Sequence, residues 1–123
     1  MKVTLSFEES SSGDVSIMVD ALRASTTITL ALNSFKRIIP CFTPEEAIAL
    51  KEKTGGMLAG ERNGKRLEGF EIGNSPFAIK DLKTSEDTLI LTTSNGTRII
   101  ENMTSKVLVG SMVNAEAVGE KSV

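Results

Sequence analysis

The chain has 123 residues, 40% hydrophobic and 24% charged, with a formal net charge of −2. That length and balance fit one globular domain able to bury a core without disulfides. They do not fit a protein that grips nucleic acid through a basic face, and the absence of Trp and Tyr removes a base-stacking platform. Histidine is also absent, so no Ser-His-Asp triad, Cys-His pair or His-rich zinc site can be assembled from this chain alone. Cys41 is the single cysteine; it reads as a small packed apolar group, and a reducing compartment suits it. The segment Met1–Glu9 lacks the apolar run of a signal peptide, and no stretch approaches the roughly 18 apolar residues of a membrane span. A cytoplasmic protein with neither a membrane nor a nucleic-acid partner is expected.

Taken in chain order, Val3–Phe7 and Val15–Asp20 read as strands. The link between them, Glu8 to Asp14, is too short for a parallel crossover, so an antiparallel N-terminal strand pair is expected. A helix opening near Ser25 carries Ile28, Leu30, Ala31 and Leu32 and stops around Asn33-Ser34, and Phe35–Cys41 supplies the next strand. Thr43-Pro44-Glu45-Glu46 is a helix start with a capping hydroxyl, a proline at the first position and a capping-box glutamate. Gly55-Gly56 ends that helix. Met57–Ala59 reads as a short strand, Gly60–Asn74 as a glycine-rich loop, and Ser75-Pro76 as the start of a short helix to about Leu82. Thr88–Thr93 is a strand, Asn95–Asn102 a helix and Lys106–Val109 the last strand. Gly110-Ser111 then leads into a helix holding Val113, Ala115 and Ala117. This alternation predicts an α/β fold, a three-layer α/β/α arrangement around a mostly parallel sheet, in a single domain over residues 1–123.

Ligands of open parallel sheets gather beyond the carboxyl ends of the strands. The strand ending at Asp20 offers Asp20, Arg23, Ser25 and Thr26, an order that could hold a divalent metal and a phosphate together. The strand ending at Ala59 offers Glu61 and Arg62. The strand ending near Thr93 offers Thr92, Thr93, Asn95 and Thr97, and the last offers Ser111 and Asn114. Each has a plainer reading: Ser25, Asn95 and Ser111 as helix caps, Asp20 as a turn residue, Arg23 and Arg62 as solvated charges. The segment Gly60–Asn74 stands out, because a loop of about fifteen residues inside a compact domain is usually functional or disordered. Phe70 and Ile72 can anchor it while its glycines let the backbone approach a ligand.

Four ordered segments resemble one family. They are Val19-Asp20-Ala21-Leu22-Arg23-Ala24-Ser25-Thr26-Thr27; Ala59-Gly60-Glu61-Arg62 with Glu68-Gly69-Phe70 and Gly73-Asn74-Ser75-Pro76; Thr92-Thr93-Ser94-Asn95-Gly96-Thr97; and Val109-Gly110-Ser111-Met112-Val113-Asn114-Ala115. The chain is similar to the N-terminal half of the 2-phosphosulfolactate phosphatases. The resemblance implies a magnesium-dependent phosphatase that hydrolyses 2-phosphosulfolactate, or another small phosphorylated acid, to 3-sulfolactate and phosphate, a step of coenzyme M biosynthesis. On it, Asp20, Arg23, Glu61 and Arg62 are expected to be catalytic, with Asp20 the first Mg²⁺ ligand and Glu61 the second. Ser25, Thr26, Asn74, Thr92, Thr93, Asn95, Gly96, Thr97, Ser111 and Asn114 are expected to bind the anionic phosphate or sulfonate substrate. Water and Asp20 both stand as candidate nucleophiles. The alternative is a catalytically silent remnant, or one half of a split enzyme, that binds a small anion or a complementary second chain; a homo-oligomer is compatible with either.

Overall fold

The computed structural model describes residues 1–7 and 13–123. In chain order it runs β1 (Val15–Val19), α1 (Ala24–Ala31), β2 (Arg37–Pro40), α2 (Pro44–Thr54), β3 (Met57–Arg62) and β4 (Lys65–Arg66). It continues through α3 (Pro76–Lys80), β5 (Thr88–Thr92), α4 (Gly96–Asn102), β6 (Lys106–Gly110) and α5 (Ala115–Ser122).

The run Thr88-Leu89-Ile90-Leu91-Thr92 carries no charge and has an apolar centre, and β5 is buried along its whole length. A strand covered on both sides is what a parallel sheet between two helical layers requires. β5 takes β2 and β3 as parallel neighbours, with Ile90 opposite Ile39 and Leu58. β4 adds antiparallel to β3, giving the order β2-β5-β3-β4. A second ladder pairs β1 with β6, also parallel, with Ile17 opposite Leu108. Successive β5 side chains point to opposite faces. Leu89 and Leu91 enter one cluster with Met18, Ile28, Ala31, Phe35 and Ile79, which brings in α1 and α3. Ile90 enters the other, with Cys41, Ala47, Leu58 and Phe70, which brings in α2. The result is the three-layer α/β/α arrangement.

Helix α2 follows its sequence signals closely. The Thr43 hydroxyl accepts from the Glu46 amide at 3.1 Å, while the Glu46 carboxylate accepts from the Phe42 amide at 2.9 Å. Gly55 closes the helix in the left-handed region at φ 70°, its amide donating to Lys51 O at 2.8 Å.

Three expectations need correction. Residues 1–7 carry no strand, and Val3, Leu5 and Phe7 are all largely exposed. The antiparallel N-terminal pair is therefore not found; β1 takes β6 instead, because strand propensity alone supplies no edge to pair with. The link expected over Glu8–Asp14 lies mostly outside the described residues. The segment Gly60–Asn74 is not one long loop, because β3 continues to Arg62 and turns back through a hairpin into β4. The last helix begins at Ala115, four residues later than Ser111, because Ser111 and Asn114 form their own turn first. Among the described residues no helix is long and apolar enough to cross a membrane.

Candidate functional site

Strand β1 ends by handing the chain to α1 through a tightly bonded turn. The Asp20 amide donates to Ser25 Oγ at 2.7 Å, and the Ser25 amide donates back to Asp20 O at 2.8 Å. The Thr26 hydroxyl donates to Ala21 O at 2.8 Å, and the peptide between Leu22 and Arg23 is cis. Ser25 is fully buried, so it fixes Asp20 in place instead of facing a ligand. The Asp20 carboxylate and the Arg23 guanidinium make no hydrogen bond or ion pair with other described residues; the salt bridges among those residues are Lys36–Asp87 and Lys51–Glu71.

The exit of β5 approaches the same place. A Cβ on Gly96 would sit 2.5 Å from Ala24 Cβ and 3.1 Å from Asp20 Oδ2, so only glycine lets α4 start against that carboxylate. Thr93 and Thr97 exchange amide-to-hydroxyl bonds of 3.1 and 3.3 Å and are both buried. They shape the turn from beneath.

The exit of β3 is a two-residue hairpin. Asn63 and Gly64 adopt φ values of 53° and 77° between the paired Arg62 and Lys65, as a type I′ turn demands. Glu61 clamps this turn to the β5 exit. Its Oε1 accepts from the Ser94 amide at 2.8 Å, and its Oε2 accepts from the Gly64 amide at 2.9 Å and the Ser94 hydroxyl at 3.2 Å. Burial pushes the Glu61 carboxyl pKa up, but the bonds from Ser94 and Gly64, together with the Arg62 charge, outweigh it and hold the pKa below its ordinary value. Downstream, Phe70 is buried in the core and the Glu71 carboxylate accepts from the Leu58 amide at 2.9 Å, which carries the chain back to Asn74.

These exits enclose a polar cavity of about 320 Å³ that collects Asp20, Arg23, Glu61, Asn74 and Asn95 from the sequence-selected residues. Leu22, Asn63, Gly64 and Ser94 complete its wall and were not selected. The Asn63-Gly64 dipeptide, a strong hairpin signal, could have pointed to two of them. Asn74 is 5% exposed, and its side-chain carbonyl oxygen has no hydrogen-bond partner.

Other selected residues lie elsewhere. Arg62 turns away from the cavity and donates to Phe42 O at 2.7 Å, Thr92 Oγ1 at 2.8 Å and Glu61 O at 2.7 Å, tying three strand exits together. The Asn114 side chain accepts from the Ser111 amide at 2.8 Å and donates to Val109 O at 3.0 Å, a local cap beyond β6. Ser25, Thr26, Thr92, Thr93, Gly96 and Thr97 support the wall without lining it. Among the described residues no group of three or more His, Cys, Asp or Glu could hold a metal. The unengaged Asp20 carboxylate on this polar cavity nevertheless suits Mg²⁺, which usually takes only one or two carboxylates and fills its remaining positions with other oxygens.

The chain matches known proteins along nearly its whole length. A family profile described as 2-phosphosulpholactate phosphatase matches residues 2–122. The chain is 49% identical over 120 residues to the 2-phosphosulfolactate phosphatase of Methanothermobacter thermautotrophicus, covering 98% of this chain and 51% of that protein. It is 41% identical over 121 residues to a probable 2-phosphosulfolactate phosphatase of Clostridium acetobutylicum, covering 94% and 52% respectively. A third, from Thermotoga maritima, is 42% identical over 106 residues, covering 85% and 46%. The chain thus spans about half the length of the curated relatives it matches. A match running nearly from end to end, through each of the segments that build the cavity, means that the chain belongs to the 2-phosphosulpholactate phosphatase family.

Proposed function

We propose that this chain carries the phosphate-binding site of a phosphatase acting on a small phosphorylated acid of the 2-phosphosulfolactate kind. The observation that supports this most is the presence, on one cavity, of a carboxylate and a guanidinium that no other described residue engages. In the reaction the P–O ester bond breaks. Water supplies the fourth oxygen of the released phosphate, and a proton goes to the departing oxygen of 3-sulfolactate.

Arg23 holds phosphate or sulfonate oxygens, where a charge-assisted hydrogen bond contributes roughly 1.5–3 kcal/mol. Asp20 would be the carboxylate that holds Mg²⁺, which when bound polarises phosphoryl oxygens and lowers the pKa of bound water. Ser25 and Gly96 keep Asp20 at the cavity edge, one by hydrogen bond and the other by leaving room. Positioning of this kind supplies most of the catalysis in phosphoryl transfer. A silent remnant that binds a small anion would use Arg23 as well, and phosphate release tells the two apart.

The test is phosphate release from 2-phosphosulfolactate by the purified chain, with Mg²⁺ and with chelator. Asp20→Asn is expected to lower the rate by about a hundredfold or more, and Arg23→Ala to raise KM. Failure to release phosphate above the uncatalysed rate, or full activity in Asp20→Asn, overturns the reading.

A further inference from the structure

The parallel pair β1–β6 is fully covered on one face only. Met18 lies in the core, and Val107 and Val109 pack against the same cluster. Successive side chains of a strand alternate between faces, so Ile17 and Val19 point the other way, and they remain 42% and 62% exposed. A Cβ on Gly110 would meet Ile17 Cγ2 at 3.0 Å, Val19 Cγ2 at 3.6 Å and Val118 Cγ1 at 3.7 Å, so α5 reaches this outer face through Val118. Its cover is partial, because α5 has no buried residue. Parallel strands occur almost only with both faces covered, as β5 is here.

A second apolar surface lies in the N-terminal arm. Val3, Leu5 and Phe7 alternate with Lys2, Thr4 and Ser6, the period of a strand with one buried side. Residues 1–7 nevertheless form no strand, and Val3, Leu5 and Phe7 are 78%, 83% and 95% exposed. The family profile begins at residue 2, so the arm belongs to the sequence that the family shares.

The relatives supply an occupant for both surfaces. This chain spans 51%, 52% and 46% of the three relatives described above, so about half of each polypeptide has no counterpart in it. A stretch of that length can form a domain with an apolar face of its own. Exposed apolar surface of this kind marks a site of association.

We infer that the outer face of β1–β6, at Ile17 and Val19, and the apolar side of the arm, at Val3, Leu5 and Phe7, dock the half of the family polypeptide that this chain does not span. The contact gives the parallel pair its second cover and the arm a partner. Leu22, which follows β1 and is 92% exposed, stands in the cavity wall, so the docked half borders the cavity. The inference rests on the sheet and on the length of the relatives, and it holds whichever reaction the cavity performs.

The test compares this chain alone with a chimera in which it replaces the matching part of the Methanothermobacter thermautotrophicus protein. Val19→Cys, Leu5→Cys and, as a control on α3, Phe77→Cys are labelled with a thiol reagent in each; the native Cys41 is buried. Labelling at Val19→Cys and Leu5→Cys is expected to slow at least about tenfold in the chimera, and at Phe77→Cys by less than about threefold. Equal rates at Val19→Cys in the two proteins overturn the inference, as does slowing at Phe77→Cys as large as at Val19→Cys. Sedimentation of the chain alone provides a further arm: a dimer in which Val19→Cys is already protected assigns the face to a second copy and also overturns it. If the chimera does not fold, hydroxyl-radical footprinting of the intact Methanothermobacter protein decides. Protection of the segments aligned with β1 and with residues 3–7 supports the docking surface, and free reaction there rejects it.

Discussion

At the scale of single residues, the carboxylates of this chain divide by what their oxygens already touch. Asp20 is held by its backbone and leaves its side chain unengaged, whereas Glu61 spends both oxygens on the amides and hydroxyl of Ser94 and Gly64. Because the folded-state pKa of Glu61 lies below its ordinary value of 4.5, its contribution to stability is complete above that pH. It is lost as pH falls through the lower folded-state value. Chemical denaturation of Glu61→Gln should therefore show a loss at neutral pH that shrinks on acidification below about pH 4.5. A loss independent of pH would show that the charge plays no part. Cys41 illustrates the opposite case. Burial, aided by the negative charges of Glu46 and Glu101, pushes its thiol up to about 12, so it is inert packing at neutral pH.

At the scale of elements, the cavity wall depends on how the segment after β3 is fastened. The hairpin is set by two positive-φ residues, and the return to Asn74 is set by Phe70 in the core and by the parallel bridge between Ala59 and Ile72. Phe70→Ala should cost about 3–5 kcal/mol in a denaturant titration. Because Phe70 does not touch the cavity, any loss of activity should come with that loss of stability. Gly64→Val puts a β-branched residue at φ 77° and should cost about 1–2 kcal/mol while disturbing the Glu61 clamp directly. These effects should appear as a larger change in KM per unit of lost stability than Phe70→Ala gives.

At the scale of the whole molecule, β3 and β5 each contribute to both core clusters, and β5 lies between two parallel neighbours. Its amides cannot exchange without breaking two parallel ladders and uncovering both helical layers. Native-state hydrogen exchange should find the Leu89–Leu91 amides opening only by global unfolding, at about 5–15 kcal/mol for a domain of ordinary stability. Helix α5, which has no buried residue, should exchange well below that level. Equal protection in the two elements would contradict this layering.

The sequence by itself determined the elements whose signals are local. The capping box and closing glycine of α2, the apolar centre of β5 and the core anchor Phe70 depend on bonds or periodicities spanning a few residues, and all are found. The candidate positions Asp20, Arg23, Glu61, Asn74 and Asn95 were legible from their places at strand exits and in the resembling motifs, and one cavity collects them. Tertiary structure alone decided where the remaining side chains turn. Arg62 swings to Phe42 and Thr92, 20 and 30 residues away in the chain, because the neighbouring strand exits present their oxygens there. The partner of β1 was likewise settled at long range, by β6 some ninety positions downstream and not by the adjacent N-terminal run. Local chemistry can name which groups leave a strand. Only packing among distant segments fixes which of those groups remain unpaired and face a ligand.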